Sequence, residues 1–190
     1  MKIIQSFAQF NEGSHYLKNR YDENYILLSF YSFLLSYLTL KKYYGSVTMY
    51  CNQKAYDNII KYIPYNNIVI IENESSFEFW SYYKIQIMKQ MSENFIHVDS
   101  DVFIFDDLFR PFINSSKNDV IIQNLIPEDR NYASHFVNDN KDFLNKNNIL
   151  NYEKYNGRCF SCGVLGITKN IQKDYIEICE KLKKGMLIMN

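Results

Sequence analysis

Glycine and proline are scarce in this chain of 190 residues, at six and three, which leaves little of it for irregular, turn-rich architecture. Nor is there an excess of charge: 21 Lys and Arg stand against 21 Asp and Glu, a formal net charge of zero. No basic surplus argues for nucleic acid, and no acidic tail argues for disorder. The four cysteines, Cys51, Cys159, Cys162 and Cys179, are not spaced as a disulfide framework, so a reducing cytoplasm is expected. Cys159 and Cys162 have CxxC spacing but no second pair, which disfavours zinc. They also lack the βαβ placement of a redox pair. Long hydrophobic runs are missing too. The longest, Tyr25 to Leu40, falls short of the ~20 residues that span a bilayer and is interrupted by Ser29, Ser32, Ser36 and Thr39. No signal peptide is expected, because the apolar start Met1–Phe7 is short and the polar Asn11-Glu12-Gly13-Ser14-His15 follows it.

Aromatic residues are abundant, with 17 Tyr and 14 Phe. The length suits one domain over residues 1–190 with a sizeable core. Strand-like runs alternate with longer helix-like ones, the pattern of βαβ units and an α/β sheet. Strands are expected at Lys2–Phe7, Ser46–Cys51, Asn67–Ile71, Phe95–Val98, Val120–Gln123 and Phe160–Thr168 (one strand or a tight pair). Helices are expected at Asn24–Tyr43, Gln53–Ile63, Phe77–Gln90 and Asn170–Lys184. Gly45 is placed to end the first helix. The polar, Asn-rich stretch from Pro127 to about Tyr155 reads as a ligand-facing loop or insertion.

The chemistry gathers at Asp99-Ser100-Asp101. The apolar run Phe95-Ile96-His97-Val98 precedes it and Val102-Phe103-Ile104-Phe105 follows. Two carboxylates at the end of a buried strand are costly unless something positive lies beside them. In an extended segment, residues i and i+2 point the same way at roughly 6–7 Å, so both could face one cation. Mg²⁺ and Mn²⁺ take oxygen ligands and are often completed by substrate phosphates. Open α/β sheets bind ligands beyond the carboxyl ends of their strands. Phe7 to Gln9, Cys51 and Asn52 are expected at that same end.

With these residues the chain resembles GT-A-fold glycosyltransferases. Phe95 to Ile104 is similar to their strand plus DXD motif, most of all to family 8- and family 32-like enzymes and related bacterial domains. Met1–Phe7 looks like the first nucleotide-side strand and Lys41–Tyr50 like the helix end and second strand. Trp80 and Lys84 fall on the helix before the motif, and Cys162-Gly163-Val164-Leu165-Gly166 resembles the glycine-bearing acceptor-side segment. The resemblance implies a GT-A (Rossmann-like) fold, a central mostly parallel sheet flanked by helices with the DXD motif at a strand end. It implies a hexosyltransferase-type enzyme moving a sugar from a nucleotide-sugar, UDP-linked as the first expectation, to a glycan or glycoconjugate acceptor in bacterial polysaccharide assembly. Mn²⁺ or Mg²⁺ would sit on Asp99 and Asp101. Phe7, Gln9, Tyr50, Lys84 and Asp99 would contact the donor, and Cys162 and Gly163 the acceptor. Many relatives carry a further metal ligand near the C-terminus, often a His. No His follows His135 here, which leaves a ligand supplied otherwise, a C-terminal truncation or a degenerate copy as readings.

Blander readings stand beside each of these. Asp99 and Asp101 could form a turn; Asp106 and Asp107 read as caps of a short helix; His97 reads as a satisfied core histidine and Trp80 as core. Two other functions share the residues. One is a non-catalytic nucleotide-sugar or glycan-binding relative. The other is a phosphatase of the type whose strand also ends in DxD, with Asp99 as nucleophile. A general base, if the reaction inverts, is sought among Glu128, Asp129 and Asp139. Lys181-Leu182-Lys183-Lys184 could touch the inner face of a membrane, with a solvated helix end as the alternative.

Overall fold

A computed structural model describes residues 2–9, 23–72, 82–113, 120–126, 141–146 and 159–189. Its strands are β1 (Lys2–Phe7), β2 (Thr48–Cys51), β3 (Asn67–Ile70), β4 (Phe95–Val98), β5 (Val120–Ile126) and β6 (Cys159–Ile167). Its helices are α1 (Glu23–Tyr44), α2 (Gln53–Asn58), α3 (Tyr82–Met88), α4 (Arg110–Ile113), α5 (Lys141–Lys146) and α6 (Lys169–Met189).

Strand residues alternate between two cores, as the two-residue period of a strand requires. Ile3, Met49, Cys51, Ile96, Val98 and Val164 join one cluster, beneath Phe33, Tyr37 and Leu40 of α1. Ile4, Tyr50, Phe95, Leu165 and Ile167 join the other, beneath Tyr82, Tyr83, Ile85 and Ile87 of α3, with Ile171 and Tyr175 of α6 packed against it. Burial pushes the Cys51 thiol up to about 12. The sheet is therefore covered on both faces, which is why its strands read as continuous apolar runs.

The six strands lie in the order β3-β2-β1-β4-β6-β5. β1, β2, β3 and β4 run parallel, and β6 runs antiparallel to both β4 and β5. This is the mostly parallel, helix-flanked α/β architecture that the sequence led us to expect. The chain travels outward from β1 to β3, then returns to place β4 on β1's other side. The strand order thus reverses between β1 and β4, the place where open sheets form a ligand crevice.

Local chemistry sets the element ends. Gly45, at φ 75°, stops α1 and its N–H donates to the Lys41 carbonyl at 2.9 Å. The Asn52 side chain caps α2 by accepting from the Ala55 N–H at 3.0 Å. The single helix expected over Gln53–Ile63 is interrupted instead: Ile59 leaves helical geometry at φ −135°, and Ile60–Tyr62 forms a 3₁₀ turn. Ile59, Ile60 and Ile63 are all buried, so the break lets consecutive isoleucines reach the core. Most of the stretch from Pro127 to Tyr155 lies outside the described residues, as do Trp80, His15 and His135.

Candidate functional site

Between the carboxyl ends of β1 and β4 lies a cavity of about 260 Å³, lined by Ser6, Phe7, Ala8, Phe33, Tyr83, Lys84, Asp99, Ser100 and Asp101. One wall is aromatic, with Phe7 meeting Phe33 edge-to-face at 4.8 Å between ring centres. The opposite wall is polar.

Asp99 is held from several directions. Its N–H donates to the Gly163 carbonyl of β6 at 2.7 Å. Its carbonyl accepts from Val102 N–H at 3.0 Å and from the Gln5 side-chain amide at 3.3 Å. Ser100 Oγ donates to the Ser6 carbonyl at 3.1 Å, fastening the following turn to β1. The motif is therefore a turn after β4, not the extended continuation expected from the apolar flanks. The turn brings both carboxylates to the same cavity while leaving Asp101 the more exposed.

Charge in the site is partly matched. Lys84 Nζ lies 2.5 Å from Asp99 Oδ1, with both side chains largely buried. Burial nonetheless pushes the Asp99 carboxyl up from its ordinary range, against the pull of Lys84 and with a further push from Asp101. His97 is fully buried beneath Asp99. Burial, then the Lys84 cation, hold it well below its ordinary pKa, so it is neutral. Its Nε2 lies 2.7 Å from Ser6 Oγ. Its Nδ1 has no hydrogen-bond partner and stands 3.6 Å from Asp99 Oδ1. The core histidine expected from the sequence is therefore only half satisfied among the described residues, and it lies against two residues that line the cavity, Ser6 and Asp99.

Phe7, Lys84, Asp99 and Asp101 line this one cavity. Gln9 does not join them. Its backbone N–H donates to Asn52 Oδ1 at 3.1 Å and its side-chain oxygen accepts from Asn58 at 2.7 Å, so it anchors the α2 end. Tyr50 is a second departure: the strand period turns its ring into the α3-side core, with its hydroxyl 3.9 Å from Met91 sulfur. Gly163 acts through its backbone on Asp99, and the Cys162 side chain, like Glu128, Asp129 and Asp139, lies outside the described residues. Asp106 accepts from the Asp107 N–H at 2.7 Å, and Asp107 pairs with the Arg110 side chain in the first turn of α4. Sequence reasoning missed Ser6, Phe33, Tyr83 and Ser100. Ser6 was the one with a signal, being a lone hydroxyl on the carboxyl half of an apolar strand.

Among the described residues no group of three or more His, Cys, Asp or Glu is placed to hold a metal ion. Asp99 and Asp101 are hard oxygen donors that suit Mg²⁺ or Mn²⁺, with ligand phosphates and water needed to complete the coordination. A second cavity of about 330 Å³ includes Lys2, Ser46, Thr48, Asn67 and Arg110. It sits at the amino ends of the parallel strands, away from the crevice.

A family model described as "Family of unknown function (DUF6734)" matches residues 1–185. No curated protein matches the chain. Among solved structures it is similar to 4-diphosphocytidyl-2C-methyl-D-erythritol synthase from Anaerococcus prevotii DSM 20548. That likeness has a TM-score of 0.44 and 13% identity, and covers 93% of this chain and 77% of that one.

Proposed function

This chain belongs to the DUF6734 family, a family of unknown function, and from its cleft we propose that it is a metal-dependent glycosyltransferase acting on a nucleotide-sugar. The observation that carries the reading is the placing of Asp99, Asp101 and Lys84 together in a cavity at the reversal point of a mostly parallel sheet. Carboxylates for a hard cation, an ammonium for a phosphate and an aromatic wall for a planar base are the three chemistries a nucleoside diphosphate presents.

When bound, Mg²⁺ or Mn²⁺ supplies Lewis-acid neutralisation of a diphosphate leaving group, which then needs no protein proton donor. The chain's own residues do the positioning. Asp101, the more exposed carboxylate, is the first ligand for the cation. Asp99 contributes the oxygen that Lys84 leaves open. Lys84 stands ready to meet phosphate or sugar, and the Phe7–Phe33 pair offers a face for the base. The donor is a UDP-sugar in this proposal and the acceptor a glycan or glycoconjugate. The small number of metal-ligating groups among the described residues favours, as a second reading, a relative that binds the donor without turning it over.

Calorimetric titration of UDP into the full chain, with and without Mn²⁺, tests the proposal alongside the Asp101→Ala variant. Binding that requires Mn²⁺ and weakens about tenfold or more in the variant, about 1.4 kcal/mol, is the expected result. No UDP binding in the presence of Mn²⁺ would overturn it. Donor binding without hydrolysis or transfer of the sugar would favour the second reading.

A further inference from the structure

The outer face of α1 is apolar where a surface helix normally turns polar side chains to water. Leu27, Leu28, Tyr31, Leu35 and Leu38 are 52%, 70%, 59%, 47% and 48% exposed. The opposite face of the same helix is already spent on the core through Phe33, Tyr37 and Leu40. Nothing among the described residues calls for leucine on the outside.

Leu28, Tyr31, Leu35 and Leu38 are separated by three, four and three residues. That is the spacing of a coiled-coil seam, and it reads the same in both directions. A second copy of the helix laid antiparallel across it sets Leu28 against Leu38 and Tyr31 against Leu35, twice over. Such a seam is self-complementary about a two-fold axis, as an isologous interface must be. Charge agrees with this arrangement. Glu23 opens the helix and Lys41 and Lys42 close it, so antiparallel pairing brings each acidic start to the partner's basic end and opposes the two helix dipoles.

The segment after the DXD turn widens the apolar strip. It is laced to α1 by bonds from Ser36 Oγ to the Val102 carbonyl, from the Ile104 N–H to Thr39 Oγ1 and from Tyr43 OH to the Phe105 carbonyl, at 2.5, 3.3 and 2.5 Å. Along that seam Phe103 and Phe105 are left 37% and 74% exposed. A stable dimer buries roughly 800 Å² per partner, more than one helix stripe supplies, and this flank adds area where it is needed.

We propose that the chain forms a two-fold homodimer through antiparallel pairing of α1, with Leu28, Tyr31, Leu35 and Leu38 as its seam. The seam residues are distinct from those that line the cavity around Asp99, to which α1 contributes Phe33 from its opposite face.

Sedimentation and light scattering on the full chain, whose monomer mass is 22.8 kDa, give the first test. Twice that mass is expected, reverting to the monomer in Leu28→Asp/Leu35→Asp, whose fold is checked by circular dichroism. A Leu28→Cys/Leu38→Cys variant should form a covalent dimer on mild oxidation, whereas Leu28→Cys alone should not. A monomer at every concentration would overturn the proposal. So would a dimer that survives the Asp substitutions. Binding of the wild-type chain to anionic phosphatidylserine vesicles, lost in Leu28→Asp/Leu35→Asp and accompanied by a monomeric mass, would overturn it in favour of a membrane face.

Discussion

Single residues in the site are bound to one another more than to any neighbour in sequence. Lys84 and Asp99 come from different elements, and each keeps the other's charge tolerable in a mostly buried setting. Lys84→Met would leave a buried carboxylate without its cation. We expect a loss of about 2 kcal/mol in urea unfolding, with part of it recovered when Asp99→Asn is added, since the second change removes the stranded charge. Gln5 is a comparable case. It is wholly buried on the α1 side, donating to Ser36 Oγ at 2.8 Å and accepting from Tyr65 OH at 3.0 Å. Gln5→Leu keeps the volume but leaves the buried Tyr65 hydroxyl without its acceptor and removes the donor to Ser36 Oγ and the Asp99 carbonyl, and should also cost about 2 kcal/mol by the same measurement. The sequence made Asp99 and Asp101 visible because charge at the end of an apolar strand needs a reason. It could not make Gln5 or Ser6 visible in the same way. A polar residue inside a strand declares itself only through a partner that the fold supplies from elsewhere, here α1 and β4.

Elements were the most readable scale. β1 and β4 fall where the apolar runs end, and α1 within a residue of expectation, since long periodic or strongly apolar segments override local detail. Shorter pieces escaped. α4 is four residues long and carries no periodicity, and the α2 break at Ile59 arises from packing three isoleucines, not from any helix breaker. β6 shows how tightly elements constrain one another. A methyl group on Gly166 would lie 3.1 Å from Ile121 Cβ and 3.3 Å from atoms of Ile96 and Phe112. Neighbours on two strands and a helix cannot all retreat, so Gly166→Ala should destabilise the chain by about 2 kcal/mol. A thermal or urea melt decides it. Gly45→Ala meets no neighbour at all and strains only the backbone at its positive φ, so a loss nearer 1 kcal/mol is expected there.

For the molecule as a whole, the strand order was the least legible property. Burial on both faces tells a reader that a strand is interior without saying which strands lie beside it. The pairing of β4 with the antiparallel β6 joins residues far apart in the chain. Charge balance, by contrast, is plain from composition. With a formal net charge of zero and a pI near 6.8, self-repulsion between molecules vanishes close to neutrality. Solubility should pass through a minimum near pH 7 and rise on either side. Measuring the saturation concentration across pH checks this, and a flat profile would contradict it.

The backbone bond from Asp99 to Gly163 ties the carboxylate turn to a strand far downstream. While a chain is being made, β1 and β4 can pair early and fasten the Asp99 turn to β1 through Ser100 and Gln5, yet the turn lacks its β6 anchor until that strand has emerged and docked. In that interval β4 presents an open, largely apolar edge of the kind that recruits other chains. The last act of folding would then close a sticky edge and seat the carboxylates at the same moment, so that a molecule competent to bind is also one that has lost its main route to aggregation.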